Sequence, residues 1–207
     1  MALHVSKSNI VKHFMGKARD VNSNCELFSS CFRKISILIA SEAAEEFKVE
    51  EKTINTPLME CTVKTIAKPI TVIPVLRSGL IMADAMRFLF EDCTIAHLGL
   101  YRDDSLNAVK YYEKFPPELA NTKILLCDPL IATAATVMKS LDIIYNEHKF
   151  TDVTLLGILI SRQAADLLSQ KYPNLNIYVA DMDEKLNDYG YILPGVGDAG
   201  NRLFGTA

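Results

Sequence analysis

The sequence predicts an α/β fold, a mostly parallel sheet flanked by helices on both faces. Three observations predict it. Short apolar runs recur at Ile70–Leu76, Lys123–Cys127 and Val153–Ile160, and a helical pattern follows each of them. These runs are apolar at successive rather than alternate positions, which suits strands covered on both sides. The third observation is size: 207 residues, 49% hydrophobic, make one domain able to bury roughly 70% of its unfolded surface. In such sheets ligands sit beyond the carboxyl ends of the strands, so the residues after each strand carry most of the information.

The elements follow in order. Residues 1–22 read as an N-terminal arm. Ser23 to Glu26 matches a capping box, and Leu27, Phe28, Cys31, Phe32, Ile35, Leu38 and Ile39 share one helical face, predicting a long helix from Asn24 to Phe47. That stripe suits core or a contact between copies. β-Branched residues around Asn55-Thr56-Pro57 predict two short strands between Lys52 and Lys64. Ile70–Leu76 is a strand that ends in Arg77, Ser78 and Gly79, with a helix over Leu80–Phe90. Cys93–Leu100 is another strand, and Tyr101–Pro117 a polar excursion. Lys123–Cys127 leads through Asp128 to a helix over Thr136–His148. Val153–Ile160, a helix at Gln163–Gln170, a strand at Asn176–Ala180 and a C-terminal segment over 182–207 complete the single domain.

Composition excludes several classes. Lys and Arg number 22 against 25 Asp and Glu, a net charge of −3 that argues against a nucleic-acid or membrane-surface role. No apolar run approaches the roughly 18 residues of a membrane span, and the opening stretch lacks a signal peptide's apolar core. The five cysteines form no CxxC pair and the four histidines have no metal-ligand spacing. The expectation is a reduced, cytoplasmic protein with no metal of its own.

Three strand ends carry chemistry. Arg77-Ser78-Gly79 offers a cation on a small turn. Tyr101-Arg102-Asp103-Asp104 offers a second arginine. Asp128, Pro129, Leu130, Ile131, Ala132, Thr133, Ala134, Ala135 and Thr136 run into a helix, where Thr133 is placed to cap and the amides of 134–136 to meet an anion. Singly these are ordinary ion-pair and capping residues. Together they favour a polyphosphate site. Gly195-Val196-Gly197-Asp198-Ala199-Gly200 fits the dinucleotide pattern G-x-G-x-x-G, but only seven residues follow it, so no βαβ unit contains it. It reads instead as a loop whose exposed backbone admits a flat ligand. Tyr191 to Pro194, Leu203 and Phe204 are apolar enough to anchor it.

These residues resemble the uracil phosphoribosyltransferases along nearly the whole chain. TVIPVLRSGL, LYRDD, CDPLIATAAT and LNDYGYILPGVGDAGNRLFGT are similar to that family's signature blocks, in the usual order. The resemblance implies a type I phosphoribosyltransferase fold with a base-binding hood and a mobile hairpin lid over Tyr101–Pro117. It implies transfer of the phosphoribosyl group of 5-phosphoribosyl 1-diphosphate (PRPP) to uracil, giving UMP and pyrophosphate. Carried over by position, Arg77 and Arg102 hold pyrophosphate, Asp128 the ribose hydroxyls, and Thr133–Thr136 the 5′-phosphate. Ile192, Gly197, Asp198 and Ala199 contact uracil, and Asp198 also serves PRPP. Arg102 and Asp128 are the catalytic pair; no strong general base is expected. Mg²⁺ travels mainly on PRPP. The family further implies a homodimer or homotetramer, and GTP as an allosteric activator in some relatives.

The phosphate loop departs from the family. Bacterial members read T-G-G-S and some eukaryotic ones T-A-G-S, where this chain has Thr133, Ala134, Ala135 and Thr136. With both alanines right-handed at the helix start, the expectation is weakened but real PRPP binding. Ser78 for alanine, and Ile81 and Ala85 for glycines, are milder changes. The competing reading is a degenerate paralogue that binds nucleotide or PRPP as a regulator without turnover.

Overall fold

The structure is a computed structural model that describes residues 2–102, 108–116 and 119–206; of Arg102 and Ala120 only the backbone is described. The chain opens with β1 (Ala2–Val5), α1 (Asn9–Arg19) and α2 (Cys25–Ala44). A hairpin of β2 (Val49–Asn55) and β3 (Glu60–Ile66) precedes β4 (Ile70–Leu76), α3 (Leu80–Leu89) and the short β5 (Thr94–Ile95). Next come β6 (His97–Arg102), β7 (Ala108–Lys114), β8 (Lys123–Cys127) and β9 (Leu130–Ile131). α4 (Ala135–Asp142) widens into a π-helical turn over Ile143–Glu147. The chain then runs through β10 (Val153–Ser161), α5 (Arg162–Lys171), β11 (Asn176–Asp183), β12 (Lys185–Leu186), β13 (Ile192–Leu193) and α6 (Ala199–Phe204).

The main sheet has the order β1-β11-β10-β8-β4-β6-β7, with β5 added beside β4 and β9 beside β10. Its pairings are parallel except β6 with β7, an antiparallel hairpin at the edge. Side chains alternate between two apolar layers. Leu125 and Cys127 of β8 pack with Phe28, Phe32, Ile35 and Met82 of α2 and α3, while Ile124 and Leu126 face Val137, Leu141 and Leu168 of α4 and α5. This double burial is why the strands read as unbroken apolar runs.

Topology places the ligand crevice. From β4 the chain steps to β6 on one side, whereas β8, on the other side of β4, leads away through β10 and β11. The order reverses between β4 and β8, and a crevice opens at their carboxyl ends. Those ends carry Arg77 and Asp128.

Several expectations are corrected. The expected N-terminal arm over 1–22 is part of the domain from Ala2 onward: β1 pairs with β11, and α1 buries Val11, Met15 and Ala18. The cap of α2 is Asn24, whose side chain accepts from Leu27 N at 2.9 Å, while Ser23 Oγ donates to Lys17 O and closes the end of α1. α2 stops at Ala44, because Glu42, Glu45 and Glu46 cluster at its negative end with no basic residue in the last turn. Leu27 is exposed rather than part of the stripe. No helix among the described residues is long and apolar enough to cross a membrane.

Candidate active site

The turn after β4 is shaped by space. Gly79 has ordinary right-handed backbone angles, but a β-carbon there would lie 2.6 Å from Val75 O and 2.7 Å from both Cys127 O and Val75 N. The turn is therefore pressed against two central strands. It holds Arg77, joined to Leu76 by a cis peptide bond, exposed at the crevice with its guanidinium 5.7 Å from the Phe204 ring.

After β8 the backbone is fixed in stages. Asp128 is 7% exposed, and its amide donates to Leu156 O at 3.1 Å. The Pro129 carbonyl accepts from Ile158 N and Leu159 N, both at 3.0 Å, and Ile131 turns its side chain into the core. The Ala132 carbonyl accepts from Ser161 Oγ at 2.5 Å. The next residues differ from expectation. Ala134 has φ 62 and ψ −2, left-handed, and is itself the N-cap of α4, with no side chain capping the helix. Thr133 therefore does not cap, and the helix start keeps its amide donors for an anion. Ala135 is the first residue of α4 and is not among the described non-glycine residues with positive φ.

Left-handed geometry costs alanine about 1–2 kcal/mol. Ala134 is 3% exposed and packs into the core layer of α4 rather than lining the cleft, so its methyl recovers about 0.8 kcal/mol. Glycine would relieve the strain but lose that packing and add about 0.5–1 kcal/mol of chain entropy. Ala134→Gly is thus expected to be close to neutral. Its melting temperature should stay within about 4 °C of the parent by thermal denaturation. A large gain in anion affinity by calorimetry would contradict this placement of the methyl.

The C-terminal segment folds back over the crevice. β12 and β13 pair as a small hairpin, a cis bond joins Leu193 to Pro194, and Gly195 (φ 64) and Gly197 (φ 73) make the turns. A β-carbon on Gly195 would overlap the carbonyl of Ile192. Asp198 caps α6 through Asn201 N at 2.8 Å, and Tyr191 reaches its other oxygen at 3.4 Å. Ile192 (6% exposed) and Leu203 (6%) anchor the segment; Tyr191, Leu193 and Phe204, expected to help, are all at least 40% exposed.

A cleft of about 330 Å³ lies between these parts. Arg77 and Ser78 line it from β4, Leu130 and Ala132 from the β8 side, and Ile192, Gly197, Asp198, Ala199 and Gly200 from the C-terminal loop. Tyr189, Gly190 and Tyr191 complete the rim. Of the sequence-predicted residues, Asp128, Pro129, Ile131 and Thr133–Thr136 stand beside the cleft rather than on its wall. Arg102 ends β6, but its side chain and residues 103–107 lie outside the described residues, as does Pro117; the rest of the expected lid is the antiparallel pair of β6 and β7 with Phe115 and Pro116.

The uracil phosphoribosyltransferase family profile matches residues 5–206. The chain belongs to that family. It is 36% identical over 199 residues to the uracil phosphoribosyltransferase of Thermus thermophilus, covering 95% of each chain. Among solved structures, the AQ2163 protein from Aquifex aeolicus superposes with a TM-score of 0.93 at 26% identity, covering 99% of both chains. A hypoxanthine-guanine phosphoribosyltransferase from Bacillus anthracis shares the fold more distantly, with a TM-score of 0.54 at 12% identity over 77% of this chain. The fold is that of the type I phosphoribosyltransferases, a largely parallel sheet between helical layers.

Within this uracil phosphoribosyltransferase-family chain, sequence reasoning missed what holds the C-terminal loop. Arg19 contacts Asp183 (2.8 and 2.9 Å), Asp181 (2.9 Å) and the Gly195 carbonyl (2.9 Å). Burial works against its charge, but the hydrogen bonds and attraction of Asp183 and Asp181 outweigh it and raise its pKa. The partners lie more than 160 residues apart, and no spacing rule links them. A further group, Glu113, Glu147 and His148, has metal-like proximity, but Lys110 Nζ bonds both carboxylates at 2.8 Å and closes it as an ion-pair network.

Proposed function

We propose that this chain transfers the 5-phosphoribosyl group of PRPP to uracil, breaking the bond from the anomeric carbon to the diphosphate and forming one to uracil N1, whose proton passes to the departing diphosphate or to water. The observation that carries the reading is one cleft at the sheet's switch point that joins a cation, Arg77, to a loop of open backbone groups at 197–199. Departure of diphosphate builds positive charge on the ribose, as in glycoside cleavage, and negative charge on the leaving group. Arg77 meets that negative charge, and Arg102, the last residue of the neighbouring strand β6, shares the task. Asp128 orients the ribose hydroxyls and opposes the developing cation. The uncapped start of α4, with the hydroxyls of Thr133 and Thr136, takes the 5′-phosphate.

Uracil lies against Ile192 and reads the backbone of Gly197, Asp198 and Ala199. Its O2, N3–H and O4 need an acceptor between donors. Cytosine reverses two of these positions and leaves a buried polar group unpaired, at roughly 1–3 kcal/mol each. PRPP enters as its Mg²⁺ complex. Asp198 is the one carboxylate on the described cleft wall, which suits an ion held mostly by substrate oxygens and water rather than a protein cage.

A pyrophosphate-release assay with uracil, PRPP and Mg²⁺ tests the reading, and UMP formation is the expected result. Binding of PRPP without turnover would instead favour the regulator. The core placement of the Ala134 methyl argues for the enzyme.

The working unit is a homodimer or larger, in a reducing cytoplasm that suits five free cysteines. Among the described residues β2 and β3 pair only with each other, every residue of β2 is exposed, and Leu58 and Met59 at the tip are 94% and 71% exposed. A lone two-stranded hairpin is marginal in water, and a second copy would cover it. Light scattering at micromolar concentration should give at least a dimer, and Leu58→Asp with Met59→Asp should weaken it. A monomeric parent would contradict this.

A further inference from the structure

Two guanidinium groups grip the back of the loop whose front lines the cleft. Arg19, at the end of α1, donates to the Gly195 carbonyl, while its partner Asp183 accepts the Gly195 amide at 2.9 Å. Gly195 is thus held on both sides by one ion pair, and Asp183 is only 8% exposed. One residue on, the Val196 carbonyl accepts from Arg202 Nη1 at 2.8 Å. The same nitrogen donates to Ala18 O at 2.7 Å, next to Arg19 in sequence, and Nη2 donates to Asp20 O at 2.8 Å. Arg202 also lies 4.0 Å over the buried Phe28 ring. The last turn of α1 and residues 195–196 are therefore locked together from both ends. Gly197, Asp198 and Ala199 follow directly and face the cleft.

We propose that Arg19, backed by Arg202, is a positioning residue that sets the contour of residues 195–199, and through them the fit of the pyrimidine. Neither arginine is among the residues lining the cleft. The link to the pyrimidine rests on the proposed reaction; the link to the loop does not. The fork of an arginine spans Asp183, Asp181 and Gly195 O at once, which a single ammonium cannot do. Lysine keeps the charge beside Asp183 and so preserves folding, while giving up part of this span. The loop meets PRPP through Asp198 alone but uracil through three successive residues, so loss of the anchor should fall mainly on uracil and separate the two substrates kinetically.

The test compares the parent with Arg19→Lys, and with Arg202→Lys as the second variant, by hydrogen–deuterium exchange and by initial rates. In Arg19→Lys, amides in 192–200 should exchange about tenfold faster while those of β8 and β10 stay unchanged. The KM for uracil should rise about tenfold, with the KM for PRPP within about twofold. Unchanged loop exchange would overturn the proposal, and so would a parallel rise of both KM values with faster exchange across the sheet. If the parent forms no UMP, the proposed reaction fails, and the exchange comparison still decides whether Arg19 positions the loop. Arg202→Lys should loosen the same peptide; loosening confined to α1 would count against the shared clamp.

Discussion

Gly79→Ala is expected to cripple the molecule without altering a polar group. A β-carbon at Gly79 would lie 2.6–2.7 Å from Val75 O, Val75 N and Cys127 O, all backbone atoms. Val75 and Cys127 belong to β4 and β8, paired at the centre of the sheet, so neither strand moves without breaking its ladder. The turn must yield instead, carrying Arg77 away from the crevice. Overpacking of this kind costs about 1–3 kcal/mol, and in a domain of this size each kcal/mol is worth about 2–4 °C in Tm. The expected result is a Tm lower by roughly 2–12 °C and a kcat/KM for PRPP lower by at least tenfold. A variant with parental Tm and kinetics would show that the turn does not press on the strands. Gly79→Ser should behave no better, because the limit is space and not backbone freedom.

Asp128→Asn should produce the largest kinetic loss. The amide keeps the shape of a side chain that is 7% exposed, so packing survives. What disappears is the charge proposed to oppose the ribosyl cation and one of the two acceptor oxygens proposed for its hydroxyls. Interactions that strengthen only in the transition state are worth about 10²–10³ in kcat, and that is the expected fall. Tm should hold within about 4 °C, since the amide keeps the volume of the side chain. Binding of UMP should weaken much less than kcat. A kcat within about threefold of the parent would remove Asp128 from the chemistry.

Much of this was readable because covered strands leave a plain trace. Ile70–Leu76 and Lys123–Cys127 are strands with the predicted ends, and the rule that ligands gather beyond strand ends led directly to Arg77 and Asp128. Glycine turns in the last segment were equally legible. Features set by tertiary contact were not. The left-handed Ala134 follows from a backbone already fixed upstream by Ser161 on Ala132, a contact spanning 29 residues. Asn24 and Ser23 both fit a cap, and only Lys17 O, which engages Ser23, decides between them. β1 has four residues and no alternation to mark it as a sheet strand.

The pairing of β1 with β11 also bears on how the protein is made. Ala2 lies beside Asn176, so a segment that leaves the ribosome early cannot take its place until almost the whole chain has emerged. Contacts so distant in sequence form slowly, and apolar strand faces stay uncovered meanwhile. A stalled or prematurely ended translation product therefore has neither the closing strand nor the arginine clamp. It offers exposed Leu3 and Val5 to chaperones and proteases instead of a nucleotide site.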